Sequence, residues 1–398
     1  MAPALLLAVA IDALDRHVDA LTPAQLLAQP VAALVDAQRQ AAGARLISLE
    51  APGWLIAIVA EAIALFWFWR SGNAARWRDA MRRRLGNENA VRFTFGATLA
   101  LVARLAAIIP SFYLWRVDRI MELSTALTRV WLYEYVLGTI LGMLVAGCIT
   151  AATLWLADRT HQWYLYAIGG IVAVSLLGTL LAPYFALFER YAPLSGAEAG
   201  AARAFAAKAG YPNVPIVVER RLDRIPVDAA ATQGMGVTQR IVLAESVVGA
   251  STPGEIDFYV ADQIAKLDDH DPLRLALVDA LIVIVGAAIA VFIADRVGFR
   301  RDDDPVSRVA LAAALLALVY VIAVPVDHVA VASMQLRADR EAVAMTHDRA
   351  SALRALVRAG DERIEQVCPT APGRLFLYRM PPLGARADAL GSMSGCPS

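Results

Sequence analysis

Residues 260–274 read VADQIAKLDDHDPLR, from Val260 to Arg274. Asp262 and Lys266 stand four residues apart with the acid N-terminal, the favourable order for an ion pair on one helix face. Gln263 sits beside them. Asp268, Asp269, His270 and Asp271 close the stretch before Pro272. Upstream, residues 188–259 carry the polar and turn-forming composition of a small folded unit. Downstream, from 274, the chain turns apolar for about the width of a bilayer. The stretch is therefore a junction between a folded unit and the membrane.

The whole composition agrees with a membrane protein. Of 398 residues 58% are hydrophobic, and the mean hydropathy is +0.52, too apolar for an ordinary soluble chain. Apolar segments occur at 54–70, 93–115, 131–156, 163–187, 274–295 and 307–326. Each is near the roughly 20 residues that cross a bilayer, so six spans are expected. Trp54, Trp67, Trp69, Trp115, Trp131 and Trp163 flank them as interfacial anchors. Loop 70–92 holds Arg70, Arg76, Arg78, Arg82, Arg83, Arg84 and Arg92, and loop 296–308 holds Arg296, Arg300, Arg301 and Arg308. Alternating spans put both loops on one side, which positive charge makes cytoplasmic. The expected location is a bacterial-type inner membrane, with residues 188–273 and the tail from 327 in the periplasm. A net charge of zero leaves no field for nucleic acid. Lys208 and Lys266 are the only lysines.

Five regions follow. Residues 1–53 form an N-terminal polar, helical segment behind an opening MAPALLLAVAI, read as a remnant or a short surface helix, and end at Pro52-Gly53. A four-span bundle covers 54–187. An α/β unit covers 188–273, with a helix from Ala197 to Gly210, strands at Val214–Glu219 and Arg240–Leu243, and a helix over 254–268. Two further spans cover 274–326. The tail, 327–398, carries helices at 329–346 and 348–359 and a Pro-rich end. Cys148 reads as a packing residue in an apolar helix, and Cys368 and Cys396 can pair if the tail is periplasmic.

The order of these pieces resembles the type I CAAX prenyl protease family, membrane-embedded zinc metallopeptidases of the HExxH kind. The resemblance covers roughly 54–390. It rests on Pro183 to Leu194, on Gly234 to Leu243, on Val260 to Arg274, on Gln335-Leu-Arg-Ala-Asp339 and on Met380-Pro-Pro with Arg386. It implies a mainly α fold, a polytopic helical bundle with a small α/β zincin-like domain. It also implies an edge strand at Gly236, Arg240, Ile241, Val242 and Leu243 that holds peptide. In such enzymes two His one turn apart bind Zn²⁺ and the Glu between them activates the metal-bound water.

The chemistry of that site does not carry over. Asp262 and Lys266 stand at the two His positions, Gln263 at the catalytic Glu, Gln335 at the Glu ligand and Met380 at the late His. Asp339 and Arg386 match. The expectation is no catalytic residue, no metal and no cofactor, and a pseudoenzyme that binds peptide, lipid or an active protein partner in a chamber within the lipid bilayer. An active metallopeptidase with atypical ligands, and a transporter or lipid-binding chamber, are the alternatives. The Asp262–Lys266 pair either fills the cavity left by the metal or is a solvated helix face worth tenths of a kcal/mol; the sequence leaves both open.

Other polar groups have plainer readings. His270 with Asp262, Asp268, Asp269 and Asp271 reads as a solvated turn rather than a replacement metal site. His17, His161, His328 and His347 lack partners at ligand spacing, and Ser246 and Ser251 lack a nucleophile motif. Glu61, Arg104 and Asp279 lie inside spans, where charge is costly. Glu61 and Arg104 fall at similar depth, and their reading as an interhelical pair or as chamber groups stays open.

Overall fold

The computed structural model describes residues 18–184, 191–220, 229–298 and 304–396. The opening MAPALLLAVAI, His17, part of the segment leaving the fourth span, and Arg300 and Arg301 lie outside the described residues.

Among the described residues six helices are long and apolar enough to span a bilayer: Ala37–Arg70, Glu88–Ile120, Thr128–Arg159, Trp163–Leu181, Asp271–Gly298 and Pro305–Thr346. The chain is a multi-pass membrane protein. Two expected boundaries disappear. The first span does not start at Pro52-Gly53; its helix runs through Pro52 from Ala37. A proline inside a membrane helix is tolerated where neighbours satisfy the freed backbone. Gly53 lets the second span approach, because a Cβ there would lie 2.8 Å from a methyl of Leu114. Likewise the sixth span and the tail helix expected at 329–346 are one helix of 42 residues, with Pro325 inside it.

Both arginine-rich connections meet at one end of the bundle. Asp304 caps the sixth helix, accepting from Val306 N–H at 2.8 Å. The same carboxylate takes Arg82 at 2.5 Å and Arg78 at 3.5 Å. The amphipathic helix Asn73–Leu85 is thereby fixed beside the start of the sixth span. Cys148, expected to pack, is exposed on the outer face of the third span.

The α/β unit carries a four-stranded mixed sheet among the described residues: β1 (Tyr191–Pro193), β2 (Ile216–Glu219), β3 (Ala230–Gln233) and β4 (Arg240–Ala244), in the order β1-β2-β4-β3. β2 and β4 run parallel, in register from Ile216 with Ile241 to Glu219 with Ala244. The expected peptide-holding edge at Gly236, Arg240, Ile241, Val242 and Leu243 is therefore corrected. β4 pairs on both sides, and Ile241 and Leu243 are wholly buried. Its unbroken apolar run is the signature of a strand covered on both faces. The outer strand beside it is β3.

Helix Pro253–Asp268 packs under this sheet. Thr252 and Glu255 form a capping box at its start, with Pro253 in the first turn. Phe258, Val260, Ala261 and Ile264 are fully buried. The same core takes Leu353 and Leu356 from helix Arg349–Glu362 and Leu383 from the tail. It also takes Leu26, Val31 and Leu34, so the N-terminal segment belongs to this core rather than standing apart. A Cys368–Cys396 disulfide closes the tail, and Val31 and Ala32 donate backbone hydrogen bonds to Met393 and Ser394 beside it.

The second and third spans cross at glycine. A Cβ on Gly96 would fall 2.4 Å from Thr150 Oγ1 and 2.5 Å from the Ala146 carbonyl, whereas one on Gly138 would meet nothing. Overpacking of this kind costs about 1–3 kcal/mol. Gly96→Ala is expected to lower the melting temperature in detergent, and Gly138→Ala to leave it unchanged; equal Tm values for the two would refute the close crossing.

Candidate functional site

The polar residues of helix Pro253–Asp268 converge on one carboxylate. Asp262 is 3% exposed. Its Oδ2 receives Lys266 Nζ at 2.9 Å and Gln263 Nε2 at 2.6 Å, and its Oδ1 receives Gln335 Nε2 at 2.7 Å. Three donors and one opposite charge surround a group that has lost its water, as a buried anion requires. Burial pushes the Asp262 carboxyl above the ordinary carboxylate value, and the Lys266 ammonium pulls it back down.

The network then extends through the sixth helix. Gln335 Nε2 also donates to Asp339 Oδ1 at 3.0 Å. Arg386 grips Asp339 with two bonds, Nε to Oδ2 at 2.9 Å and Nη2 to Oδ1 at 2.6 Å. Such a fork holds a carboxylate in one orientation. On the opposite flank Thr232 Oγ1 donates to Gln263 Oε1 at 2.9 Å, which ties β3 to the same cluster. Of the two open readings of Asp262 and Lys266, the solvated helix face is thus excluded: the Lys266 side chain is 15% exposed and its partner is buried.

Of these groups Thr232, Lys266 and Gln335 line one wall of a cavity of about 630 Å³, and the others stand behind them. Lys266, Gln335, Met380, Asp279 and residues 230–234 all face it. Gln335 Oε1 is buried and has no hydrogen-bond partner among the described residues. The structure thus brings together Asp262, Gln263, Lys266, Gln335, Asp339, Arg386 and Met380. Glu61 and Arg104 stand elsewhere in the bundle, outside the lining. The Arg104 guanidinium lies over the Tyr135 ring at 4.3 Å. Its charge acts on Glu61, but no salt bridge within 4.0 Å joins the two. Thr232 and β3 were missed in sequence; the four letters Ala-Ala-Thr-Gln before Gly234 were their only signal.

The acidic turn has a different task. His270 adopts a left-handed conformation, φ 57°, and its Nδ1 bonds the Leu267 carbonyl at 3.0 Å. Asp269 and Asp271 hold Arg337 of the sixth helix at 2.5 and 2.6 Å. The turn redirects the chain into the fifth span and clamps it to the sixth. His347 takes a left-handed conformation too, as the cap of the sixth helix. The Ser246 side chain lies outside the described residues.

The donor set does not suit Zn²⁺. One carboxylate is already saturated by donors, an ammonium offers no lone pair, and Gln335 turns its nitrogen toward the acids.

The described residues thus form a helical membrane bundle beside a small mixed sheet, with a cavity between them. A solved structure of that kind, Ste24p from S. mikatae, superposes with a TM-score of 0.66 over 80% of this chain and 79% of that one, at 18% identity. Ste24p is a CAAX prenyl protease; at this identity the likeness is one of fold. No protein-family model and no curated protein matches the chain.

Removing one partner of a buried pair costs about 3–5 kcal/mol, whereas neutral replacement of both is nearly free. Lys266→Met is therefore expected to destabilise strongly and Asp262→Asn with Lys266→Met to recover most of the loss. The pH sign follows from the raised Asp262 value, which Lys266→Met raises further. A carboxyl raised on folding favours the fold below its unfolded pKa, and that contribution is lost as pH rises through the folded value. The Tm deficit of Lys266→Met should grow from pH 5 to pH 8, and a pH-independent deficit would contradict the burial of that charge.

Proposed function

We propose that this protein is a pseudoprotease: a CAAX-protease-like membrane chamber that binds a peptide, a lipid or an active protein partner and does not hydrolyse it. The observation that carries this reading is the Asp262 carboxylate, which holds Lys266, Gln263 and Gln335 in hydrogen bonds. In the resembled family the corresponding positions would hold zinc and the general base. Here an ion pair and two amides occupy them. Gln263 cannot accept a proton from water, and its carbonyl is engaged by Thr232.

The retained parts point the same way. Arg386 and Asp339 still brace the wall of the chamber, and β3 lies along it. Retention of the frame with loss of the chemistry fits a binding role. The soluble unit is assigned to the periplasm. The Cys368–Cys396 disulfide suits an oxidising compartment, and the arginine-rich end of the bundle suits the cytoplasm.

Elemental analysis of purified, dialysed protein is expected to find no stoichiometric zinc, and a peptidase assay no chelator-sensitive cleavage. Four substitutions together, Asp262→His, Gln263→Glu, Lys266→His and Gln335→Glu, should recover about one equivalent. One equivalent in the unaltered protein, with cleavage that Gln263→Ala abolishes, would overturn the reading. In intact cells an impermeant thiol reagent should label Cys368 and Cys396 only after reduction; no labelling of either after reduction, with labelling once the cells are lysed, would overturn the periplasmic assignment.

A further inference from the structure

We infer that Lys266 and Gln335 form a clamp for an uncharged amide ligand that presents an N–H and a C=O to the same side, either from one primary carboxamide or from the two amides that flank a residue of an extended peptide. The inference rests on the pseudoprotease reading and specifies the ligand chemistry of that site.

The two side chains flank one carboxylate, Lys266 on Asp262 Oδ2 and Gln335 on Asp262 Oδ1. Both line the cavity. Each has capacity left over. An ammonium carries three N–H donors, and among the described residues Lys266 makes a single ion pair. Gln335 commits its nitrogen to two acids and leaves Oε1 without a donor, at 2% residue exposure. A buried acceptor without a partner costs free energy that a ligand donor can restore. The wall therefore offers spare donors at Lys266 and asks for one donor at Gln335.

Charge then selects among ligands. Lys266 is neutralised by Asp262 and Arg386 by Asp339. Arg386 stands behind the wall, and the two arginines that line the cavity are also paired, Arg379 with Asp327 at 2.9 Å and Arg363 with Glu365 at 3.4 Å. Glu50, Asp271 and Asp279 line the cavity as well. A carboxylate ligand would bring a negative charge to a buried wall with no surplus cation, which is costly. An ester supplies the C=O for Lys266 but no N–H for Gln335 Oε1. An amide supplies both. In an extended peptide a single residue projects its N–H and C=O to one side, and a primary amide on an acyl chain does the same. β3 runs along the wall in a position to align the first.

The test uses the whole protein in lipid nanodiscs and exploits its two lysines. With ¹⁵Nζ-labelled lysine the spectrum has two signals, Lys266 on the cavity wall and Lys208 on an exposed helix as an internal control. The probes are N-acetyl-alanine N-methylamide, its lactate ester analogue, the N-acetyl-alanine carboxylate and dodecanamide. The Lys266 signal is expected to move with an amide probe while Lys208 stays still. The amide should bind about tenfold more tightly than the ester or the carboxylate, the order of one buried hydrogen bond. Preference for the alanine probe identifies a peptide source, and preference for dodecanamide a lipid one. Gln335→Met should bring the amide-to-ester ratio close to one. An ester or carboxylate that binds as well as the amide, or no movement of Lys266 with any probe, overturns the clamp. Zinc content decides the pseudoprotease reading separately: zinc-free protein that does not prefer amides loses the clamp and keeps that reading.

Discussion

A single buried carboxylate organises this molecule. Asp262 is buried, and three side-chain donors converge on it. Lys266 and Gln263 reach it from its own helix and Gln335 from the sixth helix. Through Gln335 the network passes to Asp339 and Arg386, and through Gln263 to Thr232 on β3. Three separate elements are thus tied to one oxygen pair. In a low-dielectric interior such a network is specific because a partly satisfied version is costly.

The rest of the fold brings these elements to that point. The acidic turn after Asp268 has its left-handed His270, and its two carboxylates on Arg337 fix the angle between the polar helix and the fifth span. The 42-residue sixth helix carries Gln335 and Asp339 out of the bundle without a break. At its other end Asp304 caps it and draws Arg78 and Arg82 against it. Ion pairs therefore hold both ends of the helix that presents half of the site.

Much of this could be read in the chain. The hydrophobic runs marked six spans, because a bilayer demands length and apolarity whatever the packing. Asp262 and Lys266 at one helical turn marked the pair, whereas the bond between Asp339 and Arg386 appears only in the structure. Other features were less legible. Pro52 looked like a helix end because its local effect is to break helices, but packing against the second span overrides it. The strand at 240–244 looked like an edge, although its unbroken apolar run already suited the interior of a sheet. Val31 and Leu34 gave no hint that they pack with Leu353 and Leu356, because that contact joins parts of the chain more than 300 residues apart.

The sequence by itself determined the membrane class, the order of the pieces and the chemical identity of the polar residues on helix Pro253–Asp268. These depend on residue type and on spacing along one helix, which are local properties. Only the tertiary structure decided that Asp262 is buried rather than solvated, that Gln335 faces it with nitrogen and not oxygen, and that β3 instead of β4 lies along the cavity. Each of those depends on the approach of distant segments, and burial converts an ion pair of little consequence at a surface into the centre of the site.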